Sequence, residues 1–397
     1  LLQHNTCHSH NIQKLFIITT LAMMFPFPIA CLLFFIATIL LLFQKSFREL
    51  VKQSLPHKLL GAFFSVSSIA SLLAQNYLGA AITLALMIFA IYFTYYVNYV
   101  SKKTFECLLD ILLTCSFFHA IYASLEAWFI LPPVDYNALH PMLVTWRDGR
   151  ADSFFFNPNY YALFCAFTVL IAGYKIYYAS SLKQYVWYGV VALFNGFGML
   201  FTLTRTILPS LLIALLAFVI FIRSRRLKRL IGLITIIIIV VAILFYRHIP
   251  RFDLEAIDEH IDIRLDIWVS SFTEFFNAPL IGQGPLTYMT IYEKYNSYPT
   301  QHAHNLLLDT LLNYGIIGFV LISRLCYDLI LPLKSIKNSY QLKALYSLGM
   351  SFIVLVVVHG IMDVTIFWVQ TLFVFLLVIL AIPNLQREDT SIHDLNN

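Results

Sequence analysis

Apolar runs of roughly 17–25 residues recur from one end of the chain to the other, and each is long enough to cross a hydrocarbon core about 30 Å thick. That feature excludes most folds. In lipid a backbone must satisfy its own hydrogen bonds, so uncharged runs of this length become helices. Composition agrees: 60% of residues are hydrophobic and 12% charged, with a mean hydropathy of +0.77, outside the range of soluble domains. Once the runs are marked, no stretch of soluble-domain size remains. The sequence predicts an all-α polytopic membrane protein, with a single transmembrane domain over residues 1–397.

The runs fall at approximately 15–26, 28–43, 59–74, 78–97, 105–131, 159–178, 185–202, 206–222, 230–247, 305–331, 344–360 and 363–382, about twelve in all. Residues 15–43 are long for one crossing and short for two, and Pro26-Phe27-Pro28 predicts a break between two helices. The six cysteines (Cys7, Cys31, Cys107, Cys115, Cys165, Cys326) contain no C-x-x-C pair and mostly lie inside apolar runs, so buried thiols are expected rather than a disulfide frame. The chain opens Leu1-Leu2 without a methionine, so a truncated or misassigned start is an expectation. No A-x-A-like site follows the first run, and a removable signal peptide is not expected. The stretch from His4 to His10 has metal-binding composition, but as an unstructured tail without a second ligand cluster it is read as no site.

The net charge is only +5, and its placement matters more than its size. With a cytoplasmic N-terminus, one set of alternate loops holds Lys14, then Lys45, Arg48, Lys52 and Lys58, then Lys102 and Lys103, then Lys175 and Lys183. The same set continues with the basic run from Arg223 to Arg229, Lys334, Lys337, Lys343 and Arg387. The opposite loops hold Arg147, Arg150, Arg205, Arg247, Arg251, Arg264 and Lys294. The bias of basic residues towards the cytoplasm favours this orientation. Both long hydrophilic connections, 132–158 and 248–304, are then extracytoplasmic, as are the turn at Arg205 and the stretch His359–Asp363. Chemistry on that face has no cytoplasmic nucleotide. It needs a donor already carried across, such as a lipid-linked intermediate.

Several residues of these loops are candidates for chemistry. From Glu259 to Phe276, apolar residues recur at helical spacing, which predicts an amphipathic surface helix stopped by Asn277-Ala278-Pro279. Arg264 on that helix has two readings, an ion pair with Asp262, Asp266 or a neighbouring acid, or a clamp for a diphosphate. Arg205, among Thr202, Thr204 and Thr206 at an outer helix end, is either an interfacial anchor or a functional cation. Asn159, after Asn157-Pro158, is placed to cap a helix, and Arg150 just before is placed to face an anion. His304, followed by Asn305 and a long apolar run, can take a proton from a hydroxyl nucleophile. His302 and His304 together are a metal half-site on paper, but no second cluster of matching spacing appears, so no metal is expected. Asp110, Glu126 and Asp309 are intramembrane acids without evident partners, read as hydrogen-bonding groups facing the bundle.

These residues resemble the O-antigen ligase and polymerase superfamily. The ligase signature is a His, then Asn, Ser or Gln, nine residues, Gly, two residues, and Gly, Thr or Tyr. Here it reads His304-Asn305, Leu306 to Tyr314, Gly315, Ile316-Ile317 and Gly318, without gaps. Thr202 to Thr206, Ile263 to Gly284 and Phe154 to Ala162 are similar to accompanying family segments in the same order. The resemblance covers roughly the second half of the chain and implies about twelve spans with a large external loop before the last few. It implies His304 as base or orienting group and Arg205 and Arg264 as a diphosphate clamp, with Arg150, Asn157, His302 and Asn305 binding substrate. It implies a bacterial cytoplasmic (inner) membrane protein with its active site outside. The implied activity is cofactor-free, metal-independent, inverting transfer of a glycan from undecaprenyl diphosphate to a hydroxyl. The acceptor would be lipid A-core, another glycan or a wall polymer; membrane lipid is the other partner, and nucleic acid is not one.

A ligase is preferred over a polymerase on the gap-free motif. A flippase of lipid-linked sugars is the alternative from another class, but no internal repeat is visible and the polar candidates sit at the outer interface rather than mid-bilayer. A metal-dependent oligosaccharyltransferase would need acidic motifs in a large first external loop, which is nearly absent here.

Overall fold

The computed structural model describes residues 2–43, 57–132, 149–222 and 254–396, with Leu50 and a few single positions between 225 and 236. At 2–10, 254–259 and 390–396 only the backbone is described. The expectations for Lys45, Arg48, Lys52, Arg147, Arg247 and Arg251 therefore lie outside the described residues, as does all of the 230–247 span except Gly232, Leu233 and Ile236.

Among the described residues there are helices and turns and no strand. In chain order the helices are α1 (Leu2–Ala22), α2 (Phe27–Leu42), α3 (His57–Leu73), α4 (Tyr77–Tyr99), α5 (Lys102–Ala127), α6 (Pro158–Tyr178) and α7 (Leu182–Phe201). They continue with α8 (Ile207–Phe221), α9 (Leu254–Phe275), α10 (Tyr288–Ile291), α11 (Leu306–Ile336), α12 (Lys343–Gly360) and α13 (Val369–Asn396). Six of the described helices, α4, α5, α6, α11, α12 and α13, are long and apolar enough to cross a membrane, while α2, α3 and α8 are shorter apolar helices. The break at Pro26-Phe27-Pro28 is present, with Pro28 in the first turn of α2, where a missing N–H costs nothing. The His4–His10 stretch is not an unstructured tail: its backbone belongs to α1.

The bundle is built around α6. Of its apolar window 78% is buried, against 17% for α11 at the periphery. It packs on α5, α7, α8, α12 and α13. Aromatic rings fill the core, with Phe34 against Phe89, Tyr92 and Phe373, and Phe167 stacked on Phe352 at 4.3 Å. Asp110, expected to lack a partner, pairs with Lys175 Nζ at 2.9 Å, and Glu106 completes the cluster at 2.9 Å. The partners come from α5 and α6, so the chain order hid them. Glu126 accepts from the Ser153 N–H at 2.8 Å, and Asp309 accepts from the Ala303 N–H at 2.9 Å and Asn313 Nδ2 at 2.8 Å.

Two arrangements position the outer loop. A small apolar core of Ile267, Tyr288, Ile291, Ala303 and Leu312 ties α9 and α10 to the start of α11. The opposite, apolar stripe of α9, with Leu265, Val269 and Phe272, is exposed, as a helix lying on a bilayer surface would require. At its end Glu274 is buried among four donors: Lys294 Nζ and Gln283 Nε2 at 2.6 Å, Asn277 Nδ2 and the Tyr295 hydroxyl at 2.8 Å. Burial would raise its carboxyl, but these donors hold it below the ordinary value.

The second arrangement is a break in α11 at Gly315, whose φ is 62° and ψ −171°. The N–H groups of Ile316 and Ile317 turn to the carbonyls of Pro279 and Leu280, both at 2.9 Å, and the Gly284 N–H donates to the Asn313 carbonyl at 2.7 Å. Loop backbone thus replaces the interrupted helix bonds, the condition under which irregular backbone survives at a membrane helix. A side chain at Gly315 would collide with the Leu280 backbone. The glycine of the signature motif therefore seats the loop.

Candidate active site

The loop from Ser297 carries the chain into α11, and Asn305 starts that helix. Its Oδ1 accepts from the Leu308 N–H at 2.9 Å and its Nδ2 donates to the Ile361 carbonyl at 3.0 Å. Asn305 is thereby an N-cap with a hydrogen bond at each end of its amide. Asn157 is likewise the cap of α6, accepting from the Asn159 N–H at 2.8 Å. The two asparagines exchange their expected roles: Asn157 caps, and Asn159 reaches the site.

The turn between α7 and α8 raises Arg205. Thr202 closes α7 by donating to the Met199 carbonyl at 2.7 Å, and Thr204 donates to Asn159 Oδ1 at 3.0 Å. Leu203 between them has φ +50°. Arg150 braces this turn from the side. Its Nε donates to the Thr202 carbonyl at 2.7 Å, and its Nη2 to Asn159 Oδ1 at 2.5 Å and Thr204 Oγ1 at 3.0 Å.

A cavity of about 200 Å³ gathers these elements: Arg150, Arg205, Arg264 and His304 line it with Asn159, Thr204, His260 and Tyr298 among others. Four residues expected from separate parts of the sequence thus share one wall. No acid is among the described lining residues, and no described carboxylate forms an ion pair with Arg264, so the expected partners Asp262 and Asp266 do not neutralise it. The described lining is rich in guanidiniums, whose planar forks have the geometry that pairs with phosphate oxygens.

Behind His304 stands Asp363, for which the sequence carries no signal beyond its side of the membrane. Its side chain is fully buried between α12 and α13. Oδ1 accepts from His304 Nδ1 at 3.2 Å and from the Val364 N–H at 2.8 Å, while Oδ2 accepts from Asn159 Nδ2 at 2.7 Å. Burial alone would raise this carboxyl, yet His304 and its hydrogen bond, with His302 and His359, hold it far below the carboxylate range. An ionised Asp363 accepting at Nδ1 fixes the proton there and leaves Nε2 of His304 as the basic nitrogen. His304 has φ +49°, an uncommon backbone state of the kind that collects at functional sites.

His302 lies outside the cavity lining. Its Nδ1 accepts from the His304 N–H at 3.3 Å, and its ring stands edge-on to that of His304 at 4.5 Å. Burial, then His304, outweigh the pull of Asp363 and drive it down to about 3. It supports the backbone and ring of His304. With Asp363 the two histidines bring three ligand-type atoms within 4.8 Å of one another, a third member that spacing had not revealed. Three guanidiniums in the adjoining wall oppose a dication there.

The fold and this cavity define a class: a multi-pass helical membrane protein with a cationic cavity beside an aspartate-held histidine. The family model for O-antigen ligase matches residues 190–323. That segment contains Arg205, Arg264, His304 and both motif glycines, and through it this part of the chain is similar to the O-antigen ligases. Arg150, Asn159 and Asp363 lie outside the matched segment. No curated protein matches the chain significantly.

Proposed function

We propose that the chain transfers a glycan from undecaprenyl diphosphate to an acceptor hydroxyl, without a metal, at the outer face of a bacterial cytoplasmic membrane it crosses about twelve times. The observation that carries this reading is the juxtaposition of three guanidiniums with a histidine held at Nδ1. His304 Nε2 takes the hydroxyl proton as the acceptor oxygen bonds to the anomeric carbon. The bond from that carbon to the diphosphate oxygen breaks, its electron pair staying on phosphate. Arg205 and Arg264 face the charge that develops there, an effect worth several kcal/mol when preorganised. A single displacement of this kind inverts the anomeric centre. The proton on His304 then passes to the departing diphosphate. The family match favours a ligase over a polymerase.

The test is transfer by the purified protein from an undecaprenyl-diphosphate glycan with chelator present. Wild type is expected to form product, and His304→Ala and Arg264→Ala to lose it. Full turnover in both variants would contradict the site, chelator-sensitive turnover the metal-free chemistry, and movement of donor without covalent product would favour a flippase.

A further inference from the structure

The segment from Ser297 to His304 does more than deliver the imidazole. Thr300 Oγ1 lies 3.3 Å from His304 Nε2, so a hydroxyl of the protein stands at the nitrogen that an acceptor hydroxyl must reach. Two residues earlier, Tyr298 lines the same cavity, with 44% of its surface exposed. The backbone around it is fixed from both sides. The buried Tyr288 hydroxyl donates to the Tyr298 carbonyl at 3.0 Å and hydrogen-bonds with Ser297 Oγ at 2.9 Å. The Tyr160 hydroxyl meets Gln301 Oε1 at 3.3 Å, and the Ala303 N–H is held by Asp309. An accessible aromatic ring on a pinned backbone is a preorganised surface, and its apolar face with a polar tip suits the C–H face and hydroxyls of a sugar ring.

We propose that this segment is the acceptor-sugar subsite: Tyr298 is the platform for a pyranose ring, and Thr300 marks the point its attacking hydroxyl takes over. This rests on the transfer reading above. The acceptor hydroxyl replaces the Thr300 hydroxyl as hydrogen-bond partner of Nε2, and no covalent bond changes in that exchange. The guanidiniums are left to the donor, so Tyr298 governs acceptor affinity and not donor affinity.

Binding is measured apart from catalysis, by saturation-transfer NMR of methyl α-glucopyranoside and methyl α-galactopyranoside on the full chain in nanodiscs. A signal is expected with wild type and with His304→Ala, falling on the order of tenfold in Tyr298→Ala, or 1.4 kcal/mol, and largely recovered in Tyr298→Trp. In the transfer assay Tyr298→Ala should raise the acceptor KM by a similar factor while the donor KM holds. No sugar signal from wild type, equal signals from wild type and Tyr298→Ala, or a change confined to the donor KM would each overturn the subsite. Tyr298-dependent sugar binding with no transfer by wild type would contradict the enzyme reading and leave the subsite standing.

Discussion

Asp363 holds His304 by one atom, so its replacement separates orientation from charge. In Asp363→Asn the acceptor at Nδ1 is neutral and the proton on the ring is free to move to Nε2, the wrong nitrogen for a base. Turnover is expected to fall by about 10²–10⁴ with donor KM little changed; unchanged turnover would show that the contact is only structural. His302 gives a stability signature. Its value near 3 in the folded chain lies below the ordinary 6.5 or so. Between those values the unfolded chain binds a proton that the folded chain refuses, so stability is full above that window and falls as pH drops through it. From pH 7 to pH 5 the loss is about 2 kcal/mol, seen as a lower melting temperature that His302→Gln should partly flatten. At this scale the sequence singles out His304, Arg205 and Arg150 at polar breaks beside apolar runs and Arg264 on an amphipathic loop helix, and the four line one cavity. Asp363 and Asn159 escaped, since their bond joins positions 204 residues apart and neither has a local signal beyond a turn. That Asn157 and Asn305 are helix caps is not legible in the sequence, because an N-cap and a binding asparagine look alike until the helix start is seen.

Helix α11 is the element on which the site depends, because its break at Gly315 seats the loop that leads to α10 and His304. Gly315→Ala should cost several kcal/mol, since a left-handed φ and a backbone collision combine. Gly61→Ala in α3 is the control, with nothing within 4 Å of the new methyl and an expected change of less than about 1 kcal/mol. Thermal unfolding in detergent compares them, and equal melting temperatures would contradict the seating. The helices α3 to α6, α8, α11 and α12 begin and end close to where the apolar runs predicted, since run length fixes a membrane helix directly. The break in α11 was not predicted. A glycine in an apolar run gives no sign of which distant carbonyls will replace the lost helix bonds.

For the whole molecule, the all-helical membrane architecture was legible from hydropathy. The packing order around α6 was not, because apolar faces do not name their partners. Six described helices meet the length and apolarity of a crossing, and the distribution of basic residues argues for the larger topology and its orientation. The central claim, that the cavity of Arg205, Arg264 and His304 opens outward to meet a lipid-linked donor, is tested most directly by single-cysteine labelling in intact cells with a membrane-impermeant maleimide. On a cysteine-free background, Tyr298→Cys should react from outside, while Lys183→Cys should react only after permeabilisation. Labelling of Lys183→Cys from outside, with Tyr298→Cys protected until the membrane is opened, would contradict the account.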